Sequence, residues 1–210
     1  MLAGIDVSHF QFGVDWAAVA ASGVQFCFIK ATEGAKTVDH QFAKNWKGAG
    51  EAGLVRGAYH FFHPAIPAAT QAELFLRTVG ELAPGDLPPA LDLEGDEWNS
   101  IPIGERAPLA IQWLETVESK LGVTPFVYLS PSFAQEVLNN QPALGRFPLW
   151  LAHYTSAAAP TVPKPWEAWT FWQYTNAGTT PGVTTPVDLD RFTGSPDDLK
   201  ALTVHPQPSP

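Results

Sequence analysis

The chain has 210 residues with 45% hydrophobic content, enough for one large domain around a buried core and too apolar for a disordered segment. Twelve basic against 21 acidic side chains give a formal charge of -9, the wrong sign for a surface that holds phosphates, so no nucleic acid partner is expected. The single cysteine, Cys27, excludes an internal disulfide and a cysteine-rich metal site. No apolar stretch nears the roughly 18 residues of a membrane span, so no membrane insertion is expected.

In chain order, short apolar runs alternate with helix-like stretches. Ala3 to Val7 reads as a strand, followed by a helix from Asp15 to Ala21 with Asp15 as N-cap and Gly23 beyond its end. Gln25 to Lys30 is the next strand, and Asp39 to Ala52 the next helix, capped by Asp39 and closed by Gly53. The pattern continues with a strand over Val55 to Phe62, a helix over Ala68 to Leu82, and a strand over Pro89 to Glu94. A helix over Arg106 to Leu121, closed by Gly122, leads to the strand Pro125 to Leu129 and a helix from Ser132 to Asn139. Three further runs, Leu149 to His153, Thr170 to Tyr174 and Val187 to Leu189, are separated only by Pro, Gly and Thr-rich loops.

Many of these strands are apolar at nearly every position, as expected of a parallel sheet covered on both faces. Strand–helix alternation without a GxGxxG turn favours closure into an α/β barrel over an open dinucleotide-binding sheet. The expectation is therefore a single barrel domain over 1–202 whose last third has lost its outer helices, with a Pro-rich tail or linker over 203–210. MLAGIDVS at the start lacks the basic and apolar regions of an export signal.

Chemistry in such a barrel sits at the C-terminal ends of the strands, and those ends are acidic here. Asp6 closes the first run, Asp92 and Glu94 close the fourth in PPALDLEGD, and Asp188 lies in the eighth in PVDLDRF. Two residues apart on a strand, Asp92 and Glu94 share a face and point toward one mouth of the barrel. Carboxylates that converge raise one another's proton affinity, which is what a general acid needs. The nearby sequence supplies no obvious cation for the pair.

Eight Trp, 13 Phe and 4 Tyr suit both a large core and a cleft that stacks on flat ligands such as sugars. His60 and His63 are three apart, the wrong spacing for a zinc pair on a strand or helix. His9, His40 and His153 read as hydrogen-bonded residues of the surface or the mouth. No GxSxG elbow is present, and Cys27 within FCFI reads as a small buried hydrophobe. No cofactor and no metal site are expected.

GIDVSHFQ, the pair Asp15–Trp16, FIKATEG at 28–34, GAYHFF at 57–62 and LDLEG at 91–95 occur in this order. YLS at Tyr128, LWLAHY from Leu149, FWQYT from Phe171 and VDLDRF from Val187 follow. The ordered set, from about Ala3 to Phe192, resembles the glycoside hydrolase family 25 lysozymes, the Ch-type N-acetylmuramidases. The resemblance implies a TIM-like (β/α)5(β)3 barrel and hydrolysis of the β-1,4 bond between N-acetylmuramic acid and N-acetylglucosamine. By position in these motifs, it implies that Glu94 is the general acid/base, Asp92 its partner carboxylate, and Asp6 and Asp188 the other two acids of the site. Tyr59, Phe61, Tyr128, Tyr154, Trp172 and Gln173 become candidates for holding sugar rings.

The expected partner is the glycan strand of peptidoglycan, met by a monomer at the cell wall, either outside the cell or after release by lysis. Two departures from the family's pattern stand out. Asp190 replaces the Asn of VDLNRF and is expected to add charge beside Glu94 if it faces the mouth, and His63 stands where many relatives carry Arg. Two alternatives remain on the residues alone. One is a wall-sugar binding module with little chemistry, which the intact Asp6, Asp92, Glu94 and Asp188 disfavour. The other is a metal-dependent polysaccharide deacetylase, which lacks its Asp and two His at ligand spacing.

Overall fold

The computed structural model describes residues 1–205. Its strands are β1 (Leu2–Val7), β2 (Val24–Glu33), β3 (Thr37–Val38), β4 (Val55–Phe61), β5 (Ala90–Asp92), β6 (Phe126–Leu129), β7 (Leu149–Ala152), β8 (Phe171–Gly178) and β9 (Val187–Phe192). The helices are α1 (Trp16–Ala21), α2 (Phe42–Glu51), α3 (Ala68–Val79), α4 (Ile103–Leu121) and α5 (Pro196–Ala201). All strands except β3 form a closed barrel, because β1 pairs with β2 on one side and with β9 on the other. Its strands run parallel apart from β9, which is antiparallel to both β8 and β1. The eight apolar runs of the sequence are the eight barrel strands; β3 is a two-residue hairpin partner of β2 that the sequence did not announce.

Local chemistry sets the helix ends. Asp15 accepts a hydrogen bond from the Ala18 amide at 3.1 Å and caps α1 as expected. Asp39 does not cap α2, which starts later, at Phe42: its Oδ1 accepts from the Gln41 amide and its Oδ2 from the His9 amide, so it pins a loop instead. Helix α3 ends at Val79 and not at Leu82, because Gly80 takes φ 69° with ψ -145°, a conformation open to glycine that turns the chain out of the helix. The expected helix at 132–139 is a single π-helical stretch, Phe133–Val137. Helix α5 follows the barrel, with Ser195 and Asp198 forming a reciprocal capping box, a signal readable in SPDD and missed.

Two apolar layers result, as the uniformly hydrophobic strands required. Outward side chains such as Ile5, Cys27, Ile29, Val127 and Leu151 pack under the helices with Phe75, Trp113 and Leu114. Inward side chains fill the lumen: Phe26, Phe28, Tyr59, Phe126, Tyr128, Trp150, Phe171 and Phe192. Full burial of one such ring is worth about 1.5–3 kcal/mol. Space for Phe26 comes from Gly4, where an added Cβ would lie 2.2 Å from the ring. With aromatic rings packed from the floor upward, polar groups can enter the barrel only at its open end.

The expected tail begins with Thr203 and Val204. Val204 exchanges backbone hydrogen bonds with the turn at Gly85 and Asp86 and so still belongs to the barrel's packing. The rest of that segment, 206–210, lies outside the described residues.

Candidate active site

Each barrel strand carries its inward row up to the mouth and ends it on a polar or aromatic group. On β1 the row Leu2, Gly4, Asp6 ends on a carboxylate, and on β2 Phe26 and Phe28 lead to Lys30. Phe61 ends the row of β4; on the β5 side Asp92 is followed by Glu94 just beyond the strand. Tyr128 ends β6, Tyr154 lies beyond β7, and Gln173 stands on β8. The antiparallel β9 reverses the rule, so Asp188, near its start, reaches the mouth while Asp190 lies deeper. The structure thus brings together Asp6, Asp92, Glu94, Asp188, Tyr59, Phe61, Tyr128, Tyr154 and Gln173.

Trp172 is not in that group. Its neighbour Gln173 points inward, and alternation turns the indole outward, where it packs against Trp169 and Tyr174 and donates from Nε1 to the His153 carbonyl at 2.8 Å. The sequence motif FWQYT could not say which parity faces the lumen.

The acids fall into two groups. Asp6 and Asp188 are register partners across β1 and β9, and Asp190 lies one inward step below Asp188. Burial holds the Asp6 carboxyl well above its ordinary range, with the charges of Asp190 and Asp188 adding to the effect. Burial raises Asp190 from 3.8 to about 7, partly opposed by the Trp150 indole, whose N–H donates to Oδ1 at 2.8 Å. The other oxygen of Asp190 is buried and has no hydrogen-bond partner among the described residues. Gln173 completes the group: its Nε2 donates to Asp6 at 2.7 Å while its Oε1 accepts from both Tyr128 and Tyr154, at 2.8 and 2.7 Å.

Asp92 and Glu94 form the second group. Asp92 is only 5% exposed, and its Oδ1 has no hydrogen-bond partner among the described residues. Burial lifts its carboxyl well above the usual range, and Glu94 lifts it further, while Lys30 opposes both. Glu94 stands more exposed at the edge of a cleft of about 480 Å³ with Tyr128, Ser130, His153 and Tyr154 among its walls. Its carboxyl is raised as well, by desolvation and by Asp188, with Lys30 again opposing. Like charges this close hold a proton between them.

Two residues matter more than the sequence suggested. Lys30 is the cation that the strand around Asp92 lacks, delivered from β2; the signal was a lysine ending an otherwise apolar strand. Trp150, 4.2 Å from Phe28 and 4.6 Å from Tyr128 between ring centroids, forms the floor on which Asp190 rests. Asp190 is correspondingly 1% exposed, below the mouth, and its charge bears on Asp6, so the expected contact with Glu94 is replaced by one with the opposite acid group. His63 is not idle: it sits between Glu33 and Glu97. His60 faces outward, stacked on Trp113 and bonded to Thr32 and Gln71, and burial pushes its imidazole down to about 3. His9 pairs with Asp39 at 2.8 Å, and His153 Nδ1 accepts from the Thr161 amide at 3.0 Å.

Carboxyls that share protons beside an aromatic-walled cleft, at the mouth of a β/α barrel, are the equipment of a glycoside hydrolase. Comparison with known proteins agrees. The family model "Glycosyl hydrolases family 25" matches residues 5–183. "Lysozyme M1" of Streptomyces globisporus is 34% identical over 95% of this chain and 70% of its own, and the Escherichia coli K12 protein "Uncharacterized protein YegX" is 40% identical over 95% and 72%. The crystal structure of the bacterial lysozyme from Streptomyces coelicolor superposes with a TM-score of 0.91 at 32% identity, covering 96% of each chain. The chain belongs to glycosyl hydrolase family 25, and its fold is the TIM-like barrel of that family.

Proposed function

We propose that the protein is a lysozyme that cleaves the β-1,4 bond between N-acetylmuramic acid and N-acetylglucosamine in peptidoglycan, with Glu94 as general acid/base. The observation that carries the reading is the buried, unpartnered Oδ1 of Asp92 two residues from Glu94 at the cleft. An acceptor left without a donor inside a protein is costly unless a ligand supplies one. The 2-acetamido N–H of the sugar is such a donor.

The pair then works as follows. In the free protein burial raises the proton affinity of both carboxyls. A sugar N–H at Oδ1 stabilises the ionised form of Asp92 and leaves the proton to Glu94, which faces the cleft. Glu94 protonates the glycosidic oxygen as the bond to C1 breaks, and the acetamido carbonyl, oriented by Asp92, closes on C1 from the opposite face. The Glu94 carboxylate next takes a proton from water, which opens the cyclic intermediate and gives overall retention of configuration. Asp6 and Asp188 line the far side of the mouth, where Tyr128 and Tyr154 offer ring faces to the sugars and Gln173 fixes their hydroxyls. The enzyme works as a monomer at the cell wall, outside the cell or after lysis.

Digestion of purified peptidoglycan, followed by mass analysis of the new reducing ends, tests the assignment. Muramic acid at those ends is expected. Glucosamine there, or release of acetate from an intact glycan, would overturn the bond assignment, and glycan that is bound but unbroken would make the protein a binding module.

A further inference from the structure

A chain of alternating charges runs along the β2–β4–β5 side of the mouth and is not used by the reaction as drawn above. Lys30 Nζ donates to Glu33 Oε2 at 2.6 Å and lies 4.8 Å from the centre of the Phe61 ring. His63 Nε2 meets Glu33 Oε1 at 3.0 Å, and its Nδ1 meets Glu97 Oε1 at 2.7 Å. Each oxygen of Glu33 is therefore held by a different cationic group. Sheet register leads the chain into the site, since Glu33 pairs with Phe61 and Phe61 with Asp92. The His63 backbone is clamped by Gln71 of α3, which accepts from its amide and donates to its carbonyl. An imidazole can donate from both nitrogens only when protonated.

We propose that Glu33, His63 and Glu97 are positioning residues that hold the Lys30 ammonium over Phe61, beside the Asp92–Glu94 pair, and that loss of the His63 proton weakens the positive charge this arrangement presents to the pair. The inference rests on the roles given above to Asp92 and Glu94. A cation fixed there lowers the cost of ionised Asp92, the state in which it orients the acetamido group. When His63 is neutral it keeps one N–H, one of its two carboxylate bonds is lost, and the Glu33 charge falls more fully on Lys30. The acid pair then feels less positive charge and binds its proton more tightly.

The charged and titratable groups around His63 are few. Lys30 and Glu33 come from β2, Glu97 from the turn after β5, Asp92 and Glu94 from β5 and its exit, and Asp188 from β9 across the mouth. His60 of β4 is neutral in the working range, because burial holds its proton affinity low. Both flanking carboxylates favour the His63 cation over the partial burial that opposes it, so its proton leaves above the ordinary histidine value.

The test compares pH profiles of kcat and KM on soluble peptidoglycan fragments for wild type, Lys30→Met, Glu33→Gln, His63→Gln and His63→Arg, with Glu94→Gln as reference. Lys30→Met is expected to lose about tenfold or more in kcat with KM little changed, and its acid limb should move up by about one pH unit. His63→Gln should move that limb in the same direction by less, and the permanently charged His63→Arg should return it to the wild-type position. Glu33→Gln, which keeps the core intact, provides a second route should Lys30→Met fold poorly; it should move the limb up, although removal of the Glu33 charge by itself would move it down. Superimposable profiles for His63→Gln and His63→Arg, or for Glu33→Gln and wild type, would overturn the proposal. Full activity in Glu94→Gln would instead overturn the assignment on which it rests, so the two failures are told apart.

Discussion

Two groups of acids face each other across the mouth and solve the same problem differently. Asp92 on β5 and Glu94 just beyond it have a lysine: Lys30 from the adjacent side of the barrel opposes the effect of burial on both. Asp6, Asp188 and Asp190, on β1 and β9, have no cation acting on them among the described residues and rely on neutral donors, Gln173 and the Trp150 indole, and on a proton of their own. A carboxylate beside a cation can be ionised on demand, whereas one beside other carboxylates becomes a hydrogen-bond donor. The first group suits proton transfer, and the second suits a fixed polar wall that holds a sugar.

The largest effect expected is on the first group. Glu94→Gln, nearly isosteric, should lose on the order of 10²-fold or more in glycan cleavage, because departure of an unprotonated sugar alkoxide is slow. Release of reducing ends measures it, with glycan affinity largely retained. Wild-type rates would erase the difference between the groups.

Asp190→Asn sharpens the contrast through stability. The folded carboxyl is raised from 3.8 to about 7, so the folded state binds more protons than the unfolded chain between those values and loses stability as pH rises through that window. Asparagine removes this loss while keeping an acceptor for Trp150. The variant should match wild type below about pH 4 and gain on the order of 4 kcal/mol by about pH 7, with little further gain above. Urea unfolding at pH 4 and pH 8 reads it. Because Asp190 acts on Asp6 and not on Glu94, the alkaline limb of activity should stay in place; a limb that shifts to lower pH would place its charge back beside Glu94.

Smaller effects should come from the rim. Tyr154 is 50% exposed, and its hydroxyl shares Gln173 with Tyr128, so Tyr154→Phe leaves the amide anchored and should cost about 1 kcal/mol or less, seen in KM rather than kcat. Trp172→Phe should leave kcat and KM unchanged while lowering thermal stability slightly, since the indole bonds a backbone carbonyl on the outer face. A kcat loss there would mean that the outer face communicates with the mouth. Chelation by EDTA should change nothing, because protonation by a carboxyl needs no Lewis acid.

The sequence by itself determined the barrel strands, the first-half helices and the motifs that mark the family. Uniformly apolar runs bounded by Pro and Gly suit a sheet covered on both faces, and Asp92 and Glu94, two apart on such a run, share one of them. Three things waited for the tertiary structure. The direction of β9 turned Asp188 up to the mouth and Asp190 down onto Trp150, because local pattern is the same for parallel and antiparallel strands. The parity of β8 sent Gln173 inward and Trp172 outward, which a motif of adjacent aromatic and polar residues leaves open. The cation beside the Asp92–Glu94 pair came from Lys30, 62 positions before Asp92, and its contacts from Glu33, His63 and Glu97 on three separate segments. Charge at a site is summed over whatever the fold brings within a few ångströms, and barrel closure, not sequence proximity, decides what arrives.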